Sequence, residues 1–107
     1  MTQLTLTQHE RQELKGRAHR LKPVVLLGQK GITAPLLSSL QEALNVHELI
    51  KVRFVDLKDR GAKAECLAEI ERRTGSCLAG QIGHTAILYR PHPDPDKRKI
   101  VLPVKGG

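Results

Sequence analysis

The stretch Pro23-Val24-Val25-Leu26-Leu27-Gly28-Gln29-Lys30-Gly31-Ile32-Thr33-Ala34-Pro35 decides how the rest of the chain is read. Four consecutive aliphatic residues after a proline fit a strand buried on both faces, and beyond Thr33 the aliphatic positions resume at helical spacing. A loop bracketed by two glycines therefore joins a strand to a helix. Glycine allows positive φ and lets a ligand approach the backbone closely. The start of a helix adds unpaired N–H groups and a partial positive charge, a setting that suits a phosphate, and Lys30 puts a full charge at the loop tip. These features point to a clamp on a nucleic-acid backbone.

Outward from this loop, the N-terminal side supplies charge. Residues 1–35 hold six basic side chains, Arg11, Lys15, Arg17, Arg20, Lys22 and Lys30, against Glu10 and Glu13. Thr7-Gln8-His9-Glu10 reads as a capping box opening a helix. Leu14, Ala18 and Leu21 recur at i, i+4 and i+7, while Arg11, Lys15 and Lys22 form a neighbouring basic stripe that also suits an ordinary solvated face. Pro23 then ends helical geometry at Lys22.

On the C-terminal side, Thr33 is an N-cap, Ile32 can staple onto Leu37, and Pro35 is tolerated in the first turn. Leu36, Leu37, Leu40, Ala43 and Leu44 make a broad apolar face that Asn45 is expected to end. From His47 to Val55, Ile50, Val52 and Phe54 alternate with Lys51 and Arg53, a second strand with both cations on one face. Lys58-Asp59-Arg60-Gly61 is a turn signal, followed by a helix that Thr74-Gly75 closes. Ser76–Ile82 and Thr85–Arg90 form a hairpin around Gly83-His84. The segment Pro91-His92-Pro93-Asp94-Pro95-Asp96 is a stiff loop, and Lys97–Val104 adds a short edge strand before a mobile Lys-Gly-Gly end. The predicted order is α-β-α-β-α-β-β.

The composition sets the remaining bounds. The chain has 107 residues, which is one domain by size, and 18 Lys plus Arg against 11 Asp plus Glu give a net charge of +7 that favours polyanionic partners. With one Tyr, one Phe and no Trp, the chain lacks the rings on which many single-strand binders stack bases, so phosphate and shape contacts should dominate. Cys66 and Cys77 form no CxxC pair, and no signal or membrane-length segment is present, so a reduced, cytoplasmic chain with structural thiols is expected.

Catalytic patterns are missing. His9, His19, His47, His84 and His92 are scattered without HExxH or zinc spacing, so neither a metal nor a cofactor is expected. The loop has neither the GxxxxGK[ST] nor the GxGxxG pattern. His47-Glu48 invites a general-base reading but has no nucleophile beside it. The expectation is a non-enzyme without a small-molecule substrate.

Taken in order, Leu14-Lys15-Gly16-Arg17-Ala18-His19, Lys22 through the Gly28-Gln29-Lys30-Gly31-Ile32-Thr33 loop, His47-Glu48-Leu49-Ile50-Lys51-Val52, Arg73-Thr74-Gly75, Gln81-Ile82-Gly83 and Leu88-Tyr89-Arg90-Pro91 resemble the YhbY-like family of single-domain CRM (chloroplast RNA splicing and ribosome maturation) proteins. The resemblance runs from about Leu6 to Leu102. It implies a two-layer α/β sandwich similar to the C-terminal domain of bacterial initiation factor three, with an added N-terminal helix. It further implies binding of ribosomal RNA in precursors of the large ribosomal subunit. Carried onto this chain, Gly28, Gln29, Lys30 and Gly31 form the clamp, with Lys22 and Lys51 as supporting cations and Lys15 and Arg11 on the adjacent basic surface. The alternative is a basic module that binds an acidic protein partner.

Overall fold

The computed structural model describes residues 6–100. The elements follow the predicted order: α1 (Gln8–Ala18), β1 (Pro23–Leu27), α2 (Ala34–His47), β2 (Leu49–Phe54), α3 (Arg60–Thr74), β3 (Cys77–Ile82), β4 (Thr85–Tyr89), and a 3-10 turn at Pro95–Lys97. The strands form one mixed sheet in the order β1-β2-β4-β3. β1 and β2 are parallel, as a crossover through α2 requires, and β4 pairs antiparallel with both β2 and β3.

Local chemistry starts and stops the helices. Thr7 N–H donates to Glu10 Oε1 at 2.9 Å and Glu10 N–H to Thr7 Oγ1 at 3.1 Å, which completes the capping box. Thr33 Oγ1 caps α2 through the Leu36 N–H, and Asp59 Oδ2 caps α3 through the Ala62 N–H. Gly75 ends α3 at φ 72°. α2 passes Asn45 and runs on to His47, ending where Glu48 takes φ 63°. The Asn45 carboxamide is not free to turn the backbone, because its Oδ1 accepts from Arg90 Nη2 at 2.6 Å.

Alternation in the strands sorts the core into two faces. Ile50, Val52, Phe54, Ala86 and Leu88 pack with Leu40 and Leu44 of α2 and Leu67 and Ile70 of α3. Leu49, Ile87, Tyr89, Cys77 and Ala79 pack on the reverse face with Leu14 and Ala18 of α1. Cys66 is half-buried and Cys77 buried, both are free, and burial pushes both thiol pKa values up, aided by Glu65 and Glu71 respectively.

β1 differs from the expectation of burial on both faces. Val25 and Leu27 are buried, whereas Val24 is 49% and Leu26 63% exposed. β1 is an edge strand, and α1 lies over β3, β2 and β4 on the reverse face. Leu21, placed on the apolar stripe of α1, lies beyond its end and is 39% exposed.

The expected edge strand over 97–104 does not begin within the described residues. Asp94 caps a 3-10 turn through the Asp96 N–H instead. The Glu48 carboxylate then accepts from the consecutive backbone N–H groups of Lys99 and Ile100. Residues 101–107 lie outside the described residues.

Candidate nucleic-acid interface

Parallel pairing of β1 and β2 puts their C-terminal ends side by side, and the β3-β4 hairpin turn reaches the same end of the sheet. Each strand-to-helix connection there leads into a helix start, so the N-termini of α2 and α3 emerge together. Neither has an acidic residue in its first turn. The carboxyl ends of parallel strands are where open α/β sheets characteristically bind ligands.

The Gly28–Gly31 loop lies at this end on the β1 edge. It is closed by the Gly31 N–H donating to the Gly28 carbonyl at 3.1 Å, and β1 is held beneath it by the Val55 N–H donating to the Leu27 carbonyl at 2.8 Å. Gln29 Nε2 reaches across to the Asp56 carbonyl at 3.0 Å. Lys30 is exposed at the tip and makes no hydrogen bond or ion pair among the described residues.

The two glycines serve different ends. Gly31 has φ 72°, which a side chain would strain, whereas Gly28 has ordinary backbone geometry and a Cβ there would meet only the Val55 carbonyl at 3.8 Å. The fold thus accounts for Gly31 and leaves Gly28 unexplained. What a side chain at Gly28 would obstruct is approach from outside.

The structure brings Gly28, Gln29, Lys30 and Gly31 together and spreads the other predicted cations. Lys51 pairs in register with Pro23 and donates to the Leu21 carbonyl at 3.0 Å, so it sits roughly 15 Å along the strand from the loop. Lys22 is exposed beside it. Arg11 donates from Nη1 to the Leu78 carbonyl of β3 at 2.7 Å. Lys15 lays its methylenes over Gly80, where a Cβ would come within 2.7 Å of Lys15 Cδ. Arg11 and Lys15 are therefore on the β3 side, across the sheet from the loop.

A second set of cations shares the loop's end of the sheet, although the sequence reading places Lys58 and Arg60 in a turn and Arg53 on a strand face and makes none of them a site residue. Arg53 is the penultimate residue of β2, Lys58 and Arg60 flank the N-cap of α3, and Lys63 is buried with its Nζ 2.7 Å from His84 Nδ1 and 5.6 Å from the Phe54 ring centroid. Shallow grooves of about 480 to 500 Å³ run along this end. Leu26, Val55 and Asp56 border both the loop groove and the middle one, and Lys58 and His84 border both the middle groove and the far one. The signal that could have found this set was the strand-helix alternation itself, which forces consecutive βα junctions to one end.

The opposite end is closed by contacts within the chain. Arg90 donates to the Gln41 side-chain Oε1, to the Thr74 carbonyl at 2.7 Å and to the Gln41 carbonyl at 3.3 Å, and burial lowers its guanidinium pKa. Glu48, 2% exposed, accepts from the N–H groups of His92 at 2.7 Å, Lys99 at 2.7 Å and Ile100 at 3.1 Å. That occupation gives the Glu48 carboxylate an architectural task. Among the described residues no cluster of three or more His, Cys, Asp or Glu could hold a metal ion, and no helix is long and apolar enough to cross a membrane.

Comparison with known proteins agrees with this architecture. The chain is 44% identical over 101 residues to a Haemophilus influenzae protein named RNA-binding protein, covering 94% of this chain and 98% of that one. It is 38% identical over 94 residues to the probable RNA-binding protein PA4753 of Pseudomonas aeruginosa, with 88% and 89% coverage. For the probable RNA-binding protein YqeI of Bacillus subtilis the identity is 32% over 100 residues, with 92% and 99% coverage. The solution structure of the hypothetical protein SAV1595 from Staphylococcus aureus superposes with a TM-score of 0.78 at 27% identity, covering 92% of this chain and all of that one. Since the model of the CRS1/YhbY (CRM) domain matches residues 6–90, from the capping box of α1 to the last residue of the sheet and the arginine after it, the chain belongs to that family.

Proposed function

We propose that this protein is a non-enzymatic RNA-binding factor that holds ribosomal RNA during assembly of the large ribosomal subunit. Gly28, Gln29, Lys30 and Gly31 grip the ribose-phosphate chain, and Arg11, Lys15, Lys22 and Lys51 extend the positive surface. The observation that carries this reading is Gly28, a residue bare of side chain that neither its backbone angles nor its neighbours require, next to a helix start without acidic residues. The names of the relatives from three bacteria support RNA as the ligand class. The large-subunit assignment follows from the family resemblance.

Arg11 and Lys51 each already donate to a main-chain carbonyl. Arginine carries five N–H donors and the lysine ammonium three, so each retains donors for a phosphate. Phosphate contacts of this kind fix position more than sequence, and they weaken with salt.

The test is co-sedimentation with precursor large-subunit particles on a gradient. Wild type is expected to travel with the particles and to be released by nuclease, whereas Gly28→Asp stays at the top. Gly28→Asp and Lys30→Ala proteins that both sediment like wild type would contradict the clamp. Retention after complete RNA digestion would point instead to an acidic protein partner.

A further inference from the structure

One row of side chains at the loop end of the sheet belongs to neither core. Leu26 of β1 pairs with Arg53 of β2, Arg53 with Thr85 of β4, and Thr85 with Ile82 of β3, so the four point to the α1 face in a line across the sheet. Leu26 is 63% and Ile82 65% exposed, and Arg53 makes no hydrogen bond or ion pair among the described residues. The row spans three strand spacings, about 14 Å. Beside its β1 end sits the Gly28–Gly31 loop. Around the β3-β4 turn sits the second cation group, Lys58, Arg60 and Lys63 with His84.

We infer that this end of the sheet is a path for single-stranded RNA, with phosphates held at both extremities and bases or riboses laid against the row between them. The inference rests on the RNA-binding reading above and adds the second phosphate site, the strandedness and the direction across the strands.

Charge and polarity divide along the path in that sense. Lys30 at one extremity and Lys58 and Arg60 at the other face solvent, and Asp59 beside them is occupied in capping α3. The middle instead offers aliphatic surface from Leu26 and Val55 and a carboxylate, Asp56. A carboxylate repels phosphate but accepts hydrogen bonds from base amino groups and ribose hydroxyls. The Arg53 guanidinium plane is a surface on which an unstacked base can lie without an aromatic ring. An A-form duplex hides its base faces and would leave the aliphatic row without a partner.

The experiment measures affinity against KCl concentration for two probes, an unstructured ten-nucleotide RNA of mixed sequence and a blunt ten-base-pair RNA duplex. Lys58→Ala/Arg60→Ala is expected to flatten the log–log salt slope for the single strand by about 1.4, near 0.7 for each phosphate no longer neutralised. Leu26→Ser/Ile82→Ser is expected to weaken single-strand binding about tenfold with an unchanged slope, in line with the energy of one base laid on a side-chain surface, and to leave duplex binding as it was. If both double variants bind the single strand like wild type while Gly28→Asp loses it, the path is wrong and the loop clamp stands. Tighter binding of wild type to the duplex than to the single strand also overturns the path. Wild-type protein that binds neither probe removes the RNA-binding reading itself.

Discussion

α2 and α3 finish at one end of the sheet and begin at the other, and the two ends are treated in opposite ways. Where they finish, Arg90 donates to the Gln41 and Thr74 carbonyls, and Glu48 collects three main-chain N–H groups from the segment that follows. Where they begin, no acidic side chain occupies either first turn, and Lys30, Arg53, Lys58 and Arg60 have no partner among the described residues. At one end charged side chains are thus spent on groups within the chain, whereas at the other, apart from the Asp59 carboxylate that caps α3, those four cations are left for a partner from outside. The difference teaches which charges hold the fold and which are available to a ligand.

The sharpest way to break this comparison is a substitution that harms one end only. Gly28→Asp should lower RNA affinity by about tenfold or more, which is about 1.4 kcal/mol, while thermal unfolding stays near wild type, because a Cβ there meets nothing closer than 3.8 Å. Glu48→Gln should do the reverse. It turns an acceptor of three N–H groups into a group with a donor of its own, costing about 2 kcal/mol and lowering Tm by roughly 10 °C, while RNA affinity measured on folded protein is unchanged. Arg90→Met should cost a similar amount by removing the donor to the Thr74 carbonyl at the end of α3 and to the Gln41 and Asn45 side-chain oxygens, again without altering the salt slope of RNA binding.

Smaller effects refine the same contrast. Thr33→Ala removes the cap of α2 and should cost about 1 kcal/mol in denaturant unfolding. Lys30→Ala should leave stability within about 0.5 kcal/mol and flatten the salt slope by about 0.7 for single-stranded RNA. A Lys30→Ala protein that unfolded easily would blur the division between the two ends.

The order of elements was legible because its determinants are local. Thr7 with Glu10, Thr33, Asp59 and Gly75 each act within a few residues of their own position, and the alternation read in β2 survives into the structure. What was not legible depends on where distant segments land. Four aliphatic residues in a row read as a doubly buried strand, yet β1 is an edge with Leu26 bare. Glu48 looked like half of a weak acid-base pair because its partners, His92, Lys99 and Ile100, lie 44 to 52 positions away.

The site was legible in part for the same reason. The loop could be read from two glycines, a lysine and a cap standing together. The grouping of Arg53, Lys58, Arg60 and Lys63 around the same end follows only from the parallel pairing of β1 with β2 and the return of the β3-β4 turn. The scarcity of aromatic rings suggested that base contacts would be minor, but the row from Leu26 to Ile82 offers aliphatic and guanidinium surface in their place.

Titrating isotopically labelled protein with the ten-nucleotide single-stranded RNA, and mapping backbone amide shifts residue by residue, tests the division between the two ends most directly. The account predicts that the largest perturbations fall on Gly28–Thr33, Val55–Arg60 and His84, with Glu48 and Arg90 little moved. Shifts concentrated around Glu48 and Arg90, with the amides of Gly28–Gly31 unmoved at saturation, would contradict it.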